Sequence, residues 1–275
     1  MLKKRILFTL LYDNGQFMLS RNFRLQKVGD LAWLQENYNF AHISFFIDEL
    51  IVLDVTRGER NQAVFCETLE ALTEGCFVPI AAGGGIRSVE QARRLLRSGA
   101  DKVVVNTPIF TQPALLKELA QEFGQQCVVG SLDLKRTQGD KYEILIESGT
   151  RALDGLATEE LQRLSDGKVG EWYLNSVDRD GTGQGYDMAL LDQLSIDWSV
   201  PLILAGGAGN ASHLAIGLAD SRVDAVATAH LFNFVGDGLK QARSTLLSSG
   251  VELANWPAVD DLLGNSISDQ QQGIR

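Results

Sequence analysis

The sequence predicts a closed (β/α)8 barrel made of two similar halves. The stretch VPIAAGGG, from Val78 to Gly85, recurs as VPLILAGG from Val200 to Gly207. The stretch ADKVVV from Ala100 recurs as VDAVAT from Val223, again about 120 residues further on and with one residue of slippage. Each copy has the pattern of a buried strand, a glycine turn, a helix and a second buried strand. A repeat that holds several strand–helix units is too long for a solenoid period, so we expect half-barrels at about 1–122 and 123–250.

Short apolar runs alternate along the chain with stretches of helical length. The runs lack a strict polar–apolar alternation, as expected of parallel strands that are buried on both faces. The eight runs are Arg5–Leu11, Glu49–Val55, Val78–Ala82, Lys102–Asn106, Cys127–Asp133, Glu171–Asn175, Val200–Ala205 and Asp224–Ala227. The clearest helices are Val89–Arg97, which Ser88 caps, Pro113–Phe123 and Ala211–Leu218. An open doubly wound sheet is the alternative, and the duplication argues against it because each half supplies four matching units.

Two segments depart from this regular pattern. Arg21–Ile47 is too long for a simple loop, and it is expected to form a flexible active-site flap with a short helix near Asp30–Glu36. The alternative is an insertion without a role. The pattern loosens again from about Ser248, so we expect one barrel over residues 1–250 and a partly disordered C-terminal extension over 251–275.

Composition and charge limit the classes of function. The chain has 275 residues and a formal net charge of −10, which argues against non-specific nucleic-acid binding. No apolar run reaches the roughly 18 residues that span a bilayer, and the start, MLKKR, lacks the features of a signal peptide. Cys66, Cys76 and Cys127 are scattered and odd in number, which indicates reduced cysteines in a cytoplasmic protein.

The sequence offers no pattern for a metal or a cofactor. His42, His213 and His230 share no ligand spacing, and there is no Cys-x-x-Cys. The glycines at Gly83–Gly85 lack the spacing of a Walker A or Rossmann fingerprint. We therefore expect neither a metal nor a cofactor.

Glycine turns after matching strands predict two anion sites. Barrel active sites lie at the carboxyl ends of the strands, where Gly83–Gly85 and Gly206–Gly209 follow the third and seventh runs. Glycines let backbone N–H groups approach an anion closely, although they can also serve only to make tight turns. The candidate binding residues are Gly84, Gly85, Asn106 and Thr107 on one side, and Asp180, Gly181, Gly206, Gly207, Gly209 and His230 on the other. The expected ligand is a phosphorylated small molecule with a phosphate at each end.

Carboxylates end several strands between these turns. Asp133 ends the fifth run, where it can move a proton in the barrel mouth. Asp54 ends the second run, and Asp178 follows the sixth. Asp54 can alternatively orient its own loop. The first-half counterpart of Asp133 is Leu11, so the mouth lacks the paired carboxylates of a symmetric barrel.

These motifs resemble one known family. GGGIRSVE from Gly83, ADKV from Ala100, DRDGT from Asp178 with Gly185-Tyr186-Asp187, and AGGAGN from Ala205 resemble the cyclase (synthase) subunit of imidazole glycerol phosphate synthase. The likeness runs from Arg5 to about Gly250. It implies a two-fold barrel and a lyase of histidine biosynthesis that forms a heterodimer with a glutaminase subunit. It also implies a substrate with two phosphates.

The resemblance also implies roles for single residues. Of two family aspartates, Asp133 matches one and Leu11 stands at the other, while the flap lysine of the family falls on Leu19. The stretch LLYDNG from Leu10 is closer to a paralogous branch that works with an amidotransferase, where ammonia builds an acetamidino group on a surface-polysaccharide sugar. The family gate for ammonia is matched by Arg5, Glu49, Lys102 and Glu171, and a position at the glutaminase interface is matched by Asp101. A surface salt-bridge cluster is the alternative for the four charges.

Three functions therefore stay open from the sequence. The first is an ammonia-using synthase subunit of the paralogous branch, acting on an activated or phosphorylated sugar. The second is a cyclase of histidine biosynthesis with rearranged acid–base groups, such as Asp13 or Tyr12. The third is a non-catalytic barrel that docks and activates a glutaminase.

Overall fold

Eight parallel strands close into a barrel in the computed structural model, which describes residues 3–38, 43–162, 168–194, 200–229 and 238–254. The barrel strands are β1 (Arg5–Asp13), β4 (Glu49–Asp54), β5 (Ile80–Gly83), β6 (Lys102–Val105), β7 (Val128–Arg136), β10 (Glu171–Ser176), β11 (Leu202–Ala205) and β12 (Ala225–Thr228). They follow one another around the sheet, and β10 pairs back with β7. This closure confirms the (β/α)8 barrel and excludes the open sheet.

The helices cover the outside of the barrel. They are α1 (Leu31–Tyr38), α2 (Gln62–Gly75), α3 (Val89–Arg97), α4 (Pro108–Thr111), α5 (Pro113–Phe123), α6 (Ala157–Gln162), α7 (Met188–Leu194), α8 (Ala211–Ala219) and α9 (Gly238–Ser248). The three helices predicted from the sequence are present, with one extra residue at the end of α8. Ser88 caps α3 as expected, because its hydroxyl accepts a hydrogen bond from the Gln91 N–H.

Some predicted strand starts are wrong by one or two residues. The runs expected to begin at Val78 and Val200 begin at Ile80 and Leu202, since the intervening prolines have no N–H to donate to a ladder. Cys127 ends a short 3-10 turn over Gln125–Cys127 instead of opening a strand. The lengths of β1 and β7 were underestimated because both continue beyond the barrel into hairpins.

Two antiparallel hairpins rise above the barrel at matching places in the two halves. The first hairpin joins the end of β1 to β2 (Gln16–Arg21) and β3 (Arg24–Gly29). The second hairpin joins the end of β7 to β8 (Tyr142–Ile146) and β9 (Arg151–Ala152). The expected flap is thus a hairpin that begins before Arg21, followed by α1 close to the predicted short helix. The second hairpin was not predicted.

The strand register supports the internal repeat. Leu7 pairs with Glu49 in the first half, and Val129 pairs with Glu171 in the second, which is an offset of 122 residues. At the next strand pair, the Asp101 carboxylate accepts the Ile80 N–H and the Asp224 carboxylate accepts the Leu202 N–H. There the offset from Asp101 to Asp224 is 123 residues, so the one-residue slippage in the sequence falls between these two places.

Two apolar layers build the core. One fills the barrel interior, with Leu7, Ile51, Val104, Val129, Tyr173 and Ile203 among its members and alanines from β5, β11 and β12 beside them. The other lies between the strands and the helices. Burying each large aliphatic side chain contributes about 1.5–3 kcal/mol, so these layers hold the strand ends, and the side chains on them, in fixed positions.

The last described residues pack against the barrel. Leu253 is buried and forms a bridge with Lys4, and on α9 Arg243 forms a buried ion pair with Asp48 at 2.8 Å. The rest of the predicted extension, 255–275, lies outside the described residues. No helix in the described part of the chain is long and apolar enough to cross a membrane.

Candidate active site at the barrel mouth

Two cavities open at the carboxyl ends of the strands, each of about 280 Å³. The first cavity is bordered by the first-half turns and is lined by Gly84, Gly85, Asn106 and Thr107. The second cavity is bordered by the second-half turns and is lined by Asp180, Gly181, Gly206 and Gly207. Asp133 lines both cavities, so the structure brings the predicted binding residues together around the predicted acid–base group.

Asp133 is held between two amides. Its Oδ1 accepts a hydrogen bond from the Asn175 side chain at 3.1 Å, and its Oδ2 accepts one from the Asn106 side chain at 3.2 Å. Burial raises the pKa of Asp133 to about 7; the Asn175 hydrogen bond opposes this increase and the charge of Asp180 adds to it. A carboxyl group that titrates near pH 7 can both accept and release a proton at the mouth.

An apolar wall faces Asp133. Leu11, Leu19 and Leu53 all line the second cavity and are half-buried. Leu11 ends the barrel part of β1 and lies beside Leu53 on β4 and Met18 on β2. The candidate proton-transfer group Asp133 therefore lies opposite apolar side chains, as the sequence indicated for Leu11 and Leu19.

Tyr173 and Thr9 lie below the second cavity. The Tyr173 hydroxyl is 3.2 Å from the Thr9 hydroxyl, and both side chains are buried. Burial raises the pKa of Tyr173, so its hydroxyl is neutral in the physiological range and can act as a hydrogen-bond donor. Neither residue could be singled out from the sequence, because both belong to apolar strand runs of the kind that form an ordinary core.

The glycines of the first turn can be explained by close packing against neighbouring residues as well as by anion binding. Gly84 has a φ of +115°, and a Cβ there would lie 2.2 Å from the Asp54 carbonyl oxygen. A Cβ on Gly85, whose φ is +67°, would lie 2.7 Å from Cδ of Arg60. Both positions require glycine for the turn itself, so the glycines alone do not establish an anion site.

Asp54 orients its own loop and also lines the first cavity. Its Oδ1 accepts a hydrogen bond from the Thr56 N–H at 3.0 Å, and its Oδ2 lies 3.6 Å from Nε of Arg60. Burial raises the pKa of Asp54, while the Thr56 hydrogen bonds and Arg60 lower it. The loop-orienting interpretation thus accounts for the contacts of this carboxylate.

Asp180 fastens the first hairpin over the mouth. Its carboxylate accepts hydrogen bonds from the Ser20 hydroxyl and from the Phe23 N–H, the latter at 3.0 Å. Its backbone carbonyl accepts the Asn22 N–H at 2.9 Å. Burial raises the pKa of Asp180, opposed by the bonds from Ser20 and Phe23. Asp180 borders the second cavity, and its polar atoms are used to hold the hairpin.

Three other predicted positions are less central. Asp178 lines neither cavity, and its carboxylate accepts the Arg136 N–H at 2.7 Å. Gly209 also lines neither, and it donates its N–H to Nδ1 of His213 at 3.1 Å. His230 lies outside the described residues. Within the described ranges, no three His, Cys, Asp or Glu side chains are grouped as metal ligands.

Arginines that the sequence did not point to line the first cavity. They are Arg57 and Arg60, which follow β4, and Arg87, which follows the Gly83–Gly85 turn. Their positions just after barrel strands could have marked them as residues of the mouth, because every loop that follows a barrel strand reaches the mouth. Loop arginines are common on surfaces, and so position alone did not separate these three from the other Lys and Arg residues.

Four charged side chains form a closed ring at the opposite end of the barrel. Arg5 lies 3.0 Å from Glu49 and 3.0 Å from Glu171, and Lys102 lies 2.9 Å from Glu49 and 3.3 Å from Glu171. Each cation thus contacts both carboxylates. Burial raises the pKa of Glu49, Lys102 and Arg5 lower it, and Glu171 raises it further. The four residues predicted from the resemblance come together at the amino ends of β1, β4, β6 and β10.

Asp101 lies beside this ring with a structural contact of its own. Its carboxylate accepts the Ile80 N–H at 2.8 Å, and its N–H is donated to the Ile80 carbonyl at 2.7 Å. Asp48 and Asp224 make the same contact at two other strand starts. This recurring contact is sufficient to explain an aspartate at position 101 without a partner protein.

Comparison with known proteins covers both halves of the barrel. The model of a family described as "Histidine biosynthesis protein" matches residues 23–236. A protein of Parasynechococcus marenigrum (strain WH8102), named "Putative imidazole glycerol phosphate synthase subunit hisF2", is 48% identical over 258 residues. The aligned region covers 94% of this chain and 96% of that protein. The family match therefore includes both glycine turns, the second hairpin and, of the charged ring, Glu49, Lys102 and Glu171.

Proposed function

The chain belongs to the histidine biosynthesis protein family, and from this we propose that it is the barrel subunit of a glutamine amidotransferase complex. Ammonia released by a separate glutaminase enters through the charged ring and attacks, at the mouth, the carbon of a sugar acetamido group whose oxygen is activated as a phosphate ester. The new C–N bond forms as the C–O bond breaks and phosphate leaves. The product we favour is an amidine on a sugar of a surface polysaccharide. The relative from Parasynechococcus marenigrum, which is named as a subunit of imidazole glycerol phosphate synthase, supports the assignment to a multisubunit enzyme.

The charged ring is the observation that carries this proposal. The four side chains are largely buried, and the cost of desolvating charges such as the Glu49 carboxylate offsets much of the attraction within such a ring. Apolar side chains could close the amino end of a barrel at lower cost. A ring in which each of two cations contacts both carboxylates therefore supports a role in passage or binding at this end.

The surface around the ring offers an anchor for a partner. Phe77, in the loop before β5, is 58% exposed although it is a large apolar side chain. Its ring packs against Phe45, which precedes β4, with the ring centroids 4.3 Å apart. Exposed aromatic residues are enriched at the centres of protein interfaces. This pair supports docking of the glutaminase on the face that carries the ring.

In the proposed reaction Asp133 moves the proton, and Asn106 and Asn175 keep its carboxylate aimed into the mouth. The Gly84–Gly85 turn with Asn106 and Thr107 binds one anionic group of the ligand, and the Gly206–Gly207 turn binds the other. Leu11 cannot exchange a proton, so the chemistry relies on one carboxylate. That arrangement suits addition of ammonia better than a step that needs an acid and a base together.

A second candidate is the cyclase reaction of imidazole glycerol phosphate synthase itself. The observation that favours it is the Asp133 carboxyl, whose pKa of about 7 fits acid–base work. A barrel that only docks a glutaminase would have no use for such a group. We therefore rank the non-catalytic barrel third.

The first experiment measures whether the chain binds a glutaminase. The chain would be co-expressed with a candidate glutaminase from the same organism, and the complex measured by sedimentation velocity at micromolar concentration. We expect a one-to-one complex that Phe77→Asp weakens at least tenfold. Ile216→Asp is the matched control, because Ile216 is a 53% exposed apolar residue on the outer helix α8. Absence of a complex, or equal effects of both variants, would exclude this partner surface.

A further inference from the structure

The arginines of the first cavity have few anionic partners. Arg57 donates a hydrogen bond to the Phe23 carbonyl at 2.6 Å, and Arg87 donates one to the Ile86 carbonyl at 3.1 Å. Over the described ranges, neither guanidinium forms an ion pair with a carboxylate. Since each guanidinium has five N–H donors, most of the donors of Arg57 and Arg87 remain available to a ligand.

The carboxylates of the same cavity are already engaged. Asp54 lies 3.6 Å from Arg60, and Glu147 is bound by Arg151 at 3.0 Å. Asp133 is bound by two asparagine amides and is raised in pKa to about 7 by burial, so its negative charge is only partly present at neutral pH. Glu147 also attracts Arg87, but it shares its carboxylate with Arg151. The uncompensated positive charge of the cavity therefore lies mainly on Arg57, with a part on Arg87.

Arg60 and Arg87 repel each other. Desolvation, followed by the charge of Arg60, lowers the pKa of Arg87. The Arg60 Nε is buried without a hydrogen-bond partner, while its Nη2 reaches the Ser148 hydroxyl at 3.1 Å. The Gly85 turn leaves room for this side chain, since a Cβ on Gly85 would lie 2.7 Å from Cδ of Arg60. Holding like charges together costs free energy that a bridging anion would recover.

The three arginines also connect the cavity to both hairpins. Arg57 contacts Phe23 at the tip of the first hairpin, and Arg60 contacts Ser148 in the β8–β9 turn of the second. Glu147 and Ser148 in that turn have positive φ values of 56° each, and the Glu147 N–H bonds to the Thr107 hydroxyl at 2.9 Å. The unbalanced charge thus lies above the Gly84–Gly85 turn and beneath the hairpins, with space for more than one phosphate.

We propose that the first cavity binds a diphosphate group, with one phosphate at the Gly84–Gly85 turn, Asn106 and Thr107 and the linked second phosphate on Arg57, Arg60 and Arg87. This rests on the proposed function, which assigns an anionic group of the ligand to this cavity. It narrows the substrate to a sugar that carries a diphosphate. The diphosphate either ends the ligand or joins the sugar to a nucleoside.

Calorimetric titration tests the proposal with three probes: inorganic phosphate, inorganic pyrophosphate and UDP-glucose. We expect pyrophosphate to bind at least about tenfold more tightly than phosphate, since one charge-assisted contact corresponds to about tenfold in affinity. Arg57→Gln and Arg87→Gln should each remove most of this preference. Arg94→Gln is the matched control, because Arg94 lies on α3 with its side chain 60% exposed and outside the cavity. Tight binding of UDP-glucose supports the nucleoside-linked form, and binding of pyrophosphate alone supports the terminal form.

Amide chemical shifts distinguish loss of the diphosphate site from loss of the single phosphate site in the proposed function. Perturbation of the Gly84 and Gly85 amides by phosphate, without a preference for pyrophosphate, would overturn the diphosphate and leave the phosphate site of the proposed function in place. No perturbation by either anion would overturn both. Equal losses in Arg87→Gln and Arg94→Gln would also overturn the proposal, because they would indicate a general effect of charge.

Discussion

Leu11 lies beside Leu53 in the register between β1 and β4, at the place where the second half of the barrel pairs Asp133 with Asn175. The two halves therefore keep the same backbone while their central side chains differ in chemistry. At this position the second half carries a carboxyl group that can bind and release a proton, whereas the two leucines of the first half can only pack against apolar groups. This asymmetry determines what the mouth can do.

The asymmetry predicts little cyclase activity with ammonium salt, which bypasses the glutaminase. General acid–base catalysis contributes about 10²–10⁴-fold, and Leu11 removes one of two such groups. Formation of imidazole glycerol phosphate would be followed by absorbance and compared with that of a family member that has both aspartates. Turnover within about tenfold of that enzyme would contradict the prediction. Leu11→Asp need not restore activity, because Leu19 also lacks the charge expected on the flap.

Asp133 should make stability depend on pH in a specific direction. Its folded-state pKa, about 7, lies above the usual value near 4 because burial disfavours the charged form. Between about pH 4 and 7 the folded protein therefore holds a proton that the unfolded chain has lost, so stability falls as the pH rises through this window. Relative to Asp133→Asn, the wild type should lose about 1–4 kcal/mol from pH 4 to pH 8.

Urea denaturation at several pH values measures this difference. Asp140→Asn is the control, because the Asp140 side chain is 76% exposed on the second hairpin. A difference between wild type and Asp133→Asn that stays constant from pH 4 to pH 8 would show that burial does not raise the Asp133 pKa.

The charged ring should behave as a coupled unit in stability measurements. Lys102→Met removes contacts to both Glu49 and Glu171 and should cost about 1.5–3 kcal/mol. Glu49→Gln in addition should cost much less than it does alone, giving a coupling free energy of about 0.5–3 kcal/mol. Additive losses in this double-mutant cycle would mean that the four side chains act independently.

The ion pair between Arg243 and Asp48 should fasten α9 to the barrel. Both side chains are buried, so Arg243→Met leaves an unpaired carboxylate in the interior, at a cost of about 3–5 kcal/mol. Arg222→Met is the matched control, since its pairs with Asp192 and Asp220 lie at the surface and should contribute about 0–1 kcal/mol. Thermal and urea unfolding of both variants would measure the two costs, and similar values would refute the role of burial.

The barrel was predictable from the sequence because strand and helix patterns depend on local residues and on burial. Comparison of the VPIAAGGG and ADKVVV repeats even located the slippage between halves that Asp101 and Asp224 show in their hydrogen bonds. The second hairpin was missed because Tyr142–Ile146 alternates too briefly to be separated from a loop. The pairing of this segment depends on the continuation of β7 past Asp133. The pattern of polar and apolar residues does not reveal that continuation.

Site residues could be predicted from the sequence where their place in the barrel follows from their position along a strand. Asp133 lies where a strand leaves the barrel, so the closed barrel places it at the mouth. Family resemblance pointed to the ring of Arg5, Glu49, Lys102 and Glu171. Because each of these four opens a strand, the closed barrel brings them together at its amino end. Arg57, Arg60 and Arg87 could not be assigned in advance, because the direction of a long side chain depends on what its loop packs against. Arg60 reaches Ser148, which is 88 residues away in the chain.

The contact between Asp180 and the tip of the first hairpin predicts a local opening. Ser20→Ala removes one hydrogen bond to a buried carboxylate, which is worth about 1.5 kcal/mol or roughly tenfold in an opening equilibrium. Amide hydrogen exchange at Asn22 and Phe23, whose N–H groups bond to Asp180, should accelerate by about that factor, while core strands keep their protection. Ser248→Ala is the control, since its hydroxyl bonds only to the Thr245 carbonyl at the end of α9. Unchanged exchange at Asn22 and Phe23, or equal acceleration throughout the barrel, would show that this bond does not hold the hairpin over the mouth.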